Sequence, residues 1–284
     1  MATLMYGEPL IETLDSETQQ HIDRHNIKGS YLTIFLCNDT QASKAYVNLK
    51  RKKAKTFWLE AEIVEDPAID LKTLHKQIDK RNEDPNCIGM IVQLPLPKHL
   101  QEHHWEIMTR ITPAKDVDGL GGVNFGTMIV GAGEFIPATP KATVAMIKHY
   151  YPRPLPGSTA VVIWQSNLVG KPIAARLMNE QVTVISANSL TNRTWLQDQI
   201  CHADIIVTAT GVYNLLWVHT DPNKDNLTNA YIFDAGRWKK DGKVHWDTDR
   251  EYFAEYVWWI TPVPGGVGPV TVSCIFHNLI DLYE

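Results

Sequence analysis

Ser43, Tyr46 and Lys50 recur at steps of three and four residues, so on a helix they share one face. A hydroxyl, a phenol ring and an amine placed there could aim at a ligand. The same spacing fits a solvated amphipathic helix, because Lys44, Arg51, Lys52, Lys53 and Lys55 crowd the segment and exposed lysine is the commoner case. Gln93 follows an apolar run and precedes Leu94-Pro95-Leu96-Pro97, which cannot continue a central strand. It therefore stands at the carboxyl end of a strand, where open α/β sheets bind ligands, although a plain loop hydrogen-bonder occupies such places about as often. Lys115-Asp116-Val117-Asp118-Gly119 sets two carboxylates on a turn, and Asx-turn chemistry explains that as readily as substrate binding does.

Two further segments place glycine where backbone could approach a ligand. Gln165-Ser166-Asn167-Leu168-Val169-Gly170-Lys171-Pro172 follows a strand ending at Trp164 and opens a helix, so its N–H groups could face a diphosphate. No full G-x-G-x-x-G is present, and an ordinary strand-to-helix turn has a similar composition. Thr261-Pro262-Val263-Pro264-Gly265-Gly266-Val267-Gly268-Pro269 is harder to read as punctuation. It is a fixed loop directly ahead of a helix N-terminus.

The elements that must carry these residues alternate. Strand-forming runs at 31–37, 60–64 and 88–92 enclose helical segments at 41–57 and 71–81. A turn-rich section, 111–137, carries six glycines and is the candidate domain junction. Thr139-Pro140 then reads as an N-cap with proline at the first helical position. Strands follow at 159–164, 181–186, 204–209, 231–235 and 257–261, the count of a nucleotide-binding half. The pattern predicts an α/β protein with mostly parallel sheets: an N-terminal α/β domain at 1–137 and a Rossmann-like domain at 138–268. The helix of 269–284 is expected to pack back on the first.

Composition bounds the partners. The chain has 284 residues, 44% hydrophobic and 21% charged, with a formal net charge of -5, which disfavours a general nucleic-acid binder. Its four cysteines form no C-x-x-C pair, so neither a zinc ribbon nor a disulfide framework is indicated and a reducing compartment fits. No other spacing suggests metal ligands. The N-terminus does not read as a signal peptide, which gives an expectation of cytoplasmic residence. The uncharged stretch 256–280 is long enough to span a bilayer, but its prolines and glycines mark strand, tight loop and helix, so no membrane partner is expected.

Taken together, four blocks in one order resemble the methylenetetrahydrofolate dehydrogenase/methenyltetrahydrofolate cyclohydrolases. Ser43 to Lys50 looks like that family's S-x-x-Y-V-x-x-K, Val92 to Pro97 like its V-Q-L-P-L-P, Lys115 to Gly119 like its K-D-V-D-G, and Pro262 to Pro269 like its P-V-P-G-G-V-G-P. The resemblance implies two domains with a cleft between them, in which 5,10-methylene-tetrahydrofolate is oxidised with NADP and the methenyl product is hydrolysed to 10-formyl-tetrahydrofolate. It also implies a homodimer. Lys50, Gln93, Asp118 and Tyr46 fall on its catalytic positions, with Tyr46 against the aminobenzoyl ring and Asp118 anchoring the pterin. Ser43, Val92, Leu94, Pro262, Gly265, Gly266 and Val267 complete the substrate set. The dinucleotide falls to Trp164, Gln165, Ser166, Val169, Gly170, Pro172, Ser189, Gly211, Arg237 and Thr271.

Such chemistry suits these side chains. Proton exchange near neutral pH needs a lysine of lowered pKa, through burial or through neighbouring positive charge such as Lys52, Lys53 and Lys55. A neutral Gln93 would hold Lys50 without raising that pKa. The chain departs from the family at the dinucleotide: Trp164 replaces a small residue and Gln165 a basic one, while Arg237 stands where an aliphatic residue is usual. Loss of a charge-assisted phosphate contact predicts weaker preference for NADP, with NAD possible.

Overall fold

Apolar runs such as Tyr31–Leu36, Cys87–Val92 and Ile205–Thr208, buried along nearly their whole length, form strands covered on both faces, as parallel sheets require. The computed structural model describes residues 2–133, 135–212, 230–236, 238–240, 243–245, 247–248, 257 and 259–283. A three-stranded parallel sheet contains β2 (Tyr31–Leu36), β3 (Glu60–Glu65) and β4 (Cys87–Val92) in the order β3-β2-β4. Helices α2 (Gln41–Thr56) and α3 (Leu71–Glu83) make the crossovers. The second sheet has six parallel strands in the order β1-β11-β8-β7-β5-β6. These are β1 (Thr3–Leu4), β5 (Thr159–Ile163), β6 (Thr183–Ala187), β7 (Ile205–Thr208), β8 (Tyr231–Asp234) and β11 (Trp259–Ile260). Leaving out β1, the strand order is 2-1-3-4-5, a doubly wound arrangement whose switch point lies between β5 and β7. A short antiparallel pair, β9 (Trp238–Lys240) and β10 (Lys243–His245), is appended.

The chain divides into two compact units. One comprises Met1–Glu12, Ile129–Gly131 and Thr139–Thr271; the other comprises Thr13–Met128, Ala132–Ala138 and Val272–Glu284. The expected boundary of 1–137 needs correction at its start. Thr3 and Leu4 register against Trp259 and Ile260, and Met5 N–H donates to Ile260 O, so the first residues extend the six-stranded sheet. In the other unit, Asn278 of the C-terminal helix α9 (Val267–Tyr283) donates to Val117 O and Ile136 O at 2.9 and 3.1 Å. Phe276 of the same helix meets the Phe57 ring at 5.4 Å between centroids.

Two local expectations also change. The turn-rich section contains a helix, α5 (Gly122–Ile129), despite its glycines, because a buried carboxylate caps the approach to it. Helix α6 (Ala138–Tyr150) starts one residue before Thr139, so that hydroxyl lies in the first turn rather than at the cap. Among the described residues, no helix is long and apolar enough to cross a membrane.

Candidate active site

Helix α2 starts where Thr40 accepts the Ser43 N–H at 3.2 Å, while Asn38 Oδ1 accepts from the Thr40 N–H. From there Ser43, Val47, Lys50 and Ala54 form the buried line, at steps of four, three and four. Lys50 therefore lies on the inward face and is only 6% exposed, whereas Arg51, Lys52 and Lys55 face water. The solvated-helix reading fails at this one lysine.

Lys50 Nζ donates to Gln93 Oε1 at 3.1 Å. Gln93 is held from both ends: its N–H continues the sheet to Phe35 O, and its Nε2 donates to Leu94 O at 2.9 Å. The Ser43 hydroxyl donates to Leu94 O, and Asn38 Nδ2 to Pro95 O at 2.8 Å, which fastens the end of β4 to the start of α2. Val92 is buried at that strand end, and Tyr46 is half-buried one turn before Lys50. Burial lowers the Lys50 pKa, and the charge of Asp118 opposes the shift. The neighbouring lysines have no part in it, contrary to expectation; Lys53 instead pairs with Asp15.

The two carboxylates of the turn have separate roles. Asp116 is 2% exposed and accepts the N–H groups of Gly119, Leu120 and Gly121 at 3.0, 3.3 and 2.8 Å. Burial pushes its pKa up to about 6, and the charge of Asp118 adds to the rise. Lys115 Nζ donates to three carbonyls at the end of α3, those of Arg81, Asn82 and Asp84. A Cβ on Gly119, whose φ is +73°, would meet Pro137 Cα at 2.9 Å. Asp118 is thus the carboxylate left available, half-buried and within electrostatic reach of Lys50.

In the other unit, the loop after β5 closes on itself. A Cβ on Gly170 would meet Trp164 O at 1.6 Å, so glycine is required there. Trp164 itself has φ +108°, in the region that favours glycine. The Ser166 hydroxyl accepts the Val169 and Gly170 N–H groups, and Ser166 O accepts that of Lys171. With Pro172 lacking a donor, the first turn of α7 (Gly170–Asn179) has little left to offer an anion. The N–H groups of Gln165, Ser166, Asn167 and Leu168, by contrast, have no acceptor among the described residues. These free N–H groups belong to the loop part of the segment expected to face a diphosphate, and their chemistry fits such an anion. Ser189 is exposed just beyond β6; Gly211, at φ +67°, follows β7. Arg237 lies outside the described residues.

The Pro-Gly loop is fixed by the N-terminal segment. Gly7 N–H donates to Gly265 O at 2.8 Å, Gly266 N–H donates to Pro262 O at 2.7 Å, and a Cβ on Gly7 would meet Gly266 O at 2.6 Å. Behind it Thr271 donates its hydroxyl to Val267 O within α9. Three contributors were not anticipated. Asn38 and Thr40 sit in a capping pattern that the sequence does display. Asp247, buried and accepting the Thr210 N–H beside Gly211, is announced by nothing local. Burial raises its pKa and that of Asp234, with the charge of Asp247 adding to the rise at Asp234.

Residues 5–118 match the profile of the tetrahydrofolate dehydrogenase/cyclohydrolase catalytic domain, and 137–284 that of the corresponding NAD(P)-binding domain. The chain is 37% identical over 284 residues to the bifunctional protein FolD of Oceanobacillus iheyensis, covering 99% of this chain and 96% of that one. Among solved structures, it resembles the FolD methylenetetrahydrofolate dehydrogenase/cyclohydrolase of Campylobacter jejuni, with TM-score 0.88, 31% identity, and 99% and 98% of the two chains covered. It also resembles the Trypanosoma brucei enzyme complexed with NADP and an inhibitor, with TM-score 0.88, 27% identity, and 99% and 97% covered.

Proposed function

The chain belongs to the tetrahydrofolate dehydrogenase/cyclohydrolase family, and from that membership we propose that it oxidises 5,10-methylene-tetrahydrofolate to the 5,10-methenyl form with NADP, then hydrolyses the product to 10-formyl-tetrahydrofolate. The observation that carries this reading is a buried lysine whose amine is held by a neutral amide.

Hydrolysis requires a base for the incoming water and an acid for the ring nitrogen that departs. Burial brings Lys50 toward the neutral amine, which accepts a proton from water at Nζ as the new C–O bond forms. The ammonium so produced returns the proton to the nitrogen as the C–N bond breaks and the ring opens, and the hydroxyl on carbon releases its own proton to solvent as the formyl C=O forms. Gln93 keeps Nζ in place through Oε1, and the bond from its Nε2 to Leu94 O fixes the amide so that its oxygen faces the amine. Asp118 raises the Lys50 pKa while it is unpaired. Acceptance of the pterin amino and ring N–H donors by Asp118 screens that charge, and the fixed positive charge of the methenyl substrate lowers the Lys50 pKa further. Tyr46 supplies a ring face for the aminobenzoyl group.

When bound, NADP supplies the hydride acceptor. The loop N–H groups of residues 165–168 would hold its diphosphate, and Gly170, Gly211 and Ser189 would contribute to its binding. The Pro262–Val267 loop, together with Thr271, orients the reacting end and excludes water. We assign the folate and proton-transfer role to the unit containing α2 and β4, and the dinucleotide role to the unit containing β5–β8. The active species is a cytoplasmic homodimer in this reading. Sedimentation at twice the chain mass tests the assembly.

Formation of the methenyl chromophore is followed with NADP and with NAD, and its decay by hydrolysis is followed separately. Absence of both activities in folded protein would sink the proposal. A second reading, a cyclohydrolase with little dehydrogenase activity, is favoured by Trp164 at positive φ and by the neutral Gln165. Rapid hydride transfer to either dinucleotide removes it.

A further inference from the structure

In a doubly wound sheet, the end of the second strand meets the adenosine ribose of a dinucleotide. A carboxylate there takes the ribose 2′-hydroxyl, and a nearby arginine takes a 2′-phosphate. The second strand of this sheet is β6, and the segment leaving it is Asn188-Ser189-Leu190-Thr191-Asn192, with neither an acid nor a base.

Gln165 closes the same rim from the β5 side. Its Nε2 donates to Ser186 O at 3.0 Å, and its Oε1 accepts from Asn188 Nδ2 at 2.7 Å. Asn188 Oδ1 in turn accepts the Leu190 N–H at 2.9 Å. Both amides are thereby oriented, and each keeps one N–H hydrogen, beside the exposed Ser189 hydroxyl. Lys171, the cation on the adjoining loop, donates to Asn167 Oδ1. Arg193 opens α8 (Arg193–His202) and has an interaction of its own.

We propose that Gln165, Asn188 and Ser189 form a neutral ribose-2′ specificity element that admits NAD and NADP with nearly equal affinity. This rests on the dehydrogenase reading above and refines it. A 2′-phosphate receives neutral hydrogen bonds in place of charge-assisted ones, which are about twice as strong. A 2′-hydroxyl is offered donors without the carboxylate that would select it. None of the three residues carries a charge that would repel either ligand.

The test is titration calorimetry of the full chain with NAD and with NADP, at low and high salt, alongside the hydride-transfer assay. Dissociation constants within about tenfold of one another, with a ratio that salt barely moves, are expected because Gln165, Asn188 and Ser189 bring no cation to the phosphate. Gln165→Arg should shift the ratio at least about tenfold toward NADP and make it salt-sensitive, and Asn188→Asp should shift it toward NAD. A wild-type preference beyond about a hundredfold for either dinucleotide, or a ratio unmoved by Gln165→Arg, overturns the element. Binding of neither dinucleotide to folded protein removes both this element and the dehydrogenase reading. Equal binding of both without hydride transfer removes that reading alone.

Discussion

Lys50 combines two costs that its removal should separate. As the proton carrier it is needed for hydrolysis, so Lys50→Met is expected to abolish conversion to the 10-formyl product while hydride transfer survives in part. Equal loss of both, measured on the two chromophore changes, would mean that it mainly positions substrate. As a buried amine it also costs stability. Its pKa in the fold lies below the ordinary 10.5, so between the two values the unfolded chain holds a proton that the folded chain has released. Stability therefore rises with pH through that window. The variant lacks this dependence, and half-exposed Gln93 can take water in place of the amine. Lys50→Met should melt at a higher temperature than wild type near neutral pH, with the advantage shrinking as pH approaches 10.5; an advantage constant with pH would show that burial of the charge is not its source. Trp164 stores a different strain, in its backbone. Trp164→Gly should stabilise by about 1 kcal/mol, whereas Trp164→Ala, which keeps the Cβ, should not. Thermal melts of the two variants decide it.

At the scale of elements, the Lys115–Gly119 turn shows how one short segment does several jobs. Asp116 supports three N–H groups ahead of α5, and Asp116→Ala leaves those donors without their acceptor. A loss of about 3 kcal/mol or more is expected in denaturant unfolding, with Asp116→Asn intermediate because its one carbonyl still accepts. Strands β2 and β4 were legible because buried parallel strands announce themselves as apolar runs bounded by turns, and the half-buried β3 and the two crossover helices by their alternation with them. Strand β1 was not, since two residues carry no period and their pairing partner lies at the far end of the chain. Helix α5 was hidden by its glycines, because the cap that sustains it comes from Asp116, outside the helix. The blocks of the site were legible as motifs. What they do physically was not: six cations share α2, and only its register on the sheet buries Lys50. Likewise, only the fold distinguishes the structural Asp116 from Asp118.

For the whole molecule, each of the two units has its own parallel sheet, and the proposed function places proton transfer in one and dinucleotide binding in the other. That assignment predicts a crossed pattern of losses. Gly170→Ala places a Cβ where Trp164 O now lies, so the loop after β5 must open and its free N–H groups must disperse. Dinucleotide affinity should fall by more than about tenfold, taking hydride transfer with it, while hydrolysis of supplied methenyl substrate stays within about twofold of wild type. Lys50→Met should lose hydrolysis, keep its dinucleotide affinity and retain hydride transfer in part. Ser166→Ala offers a gentler version, since it releases the Val169 and Gly170 N–H groups without adding volume, and it should weaken dinucleotide binding less. Circular dichroism and melting of each variant separate a local change from unfolding. If Gly170→Ala, still folded, lost hydrolysis as completely as hydride transfer, the two chemistries would have to share residues that each unit now holds separately, and the division of roles would fail.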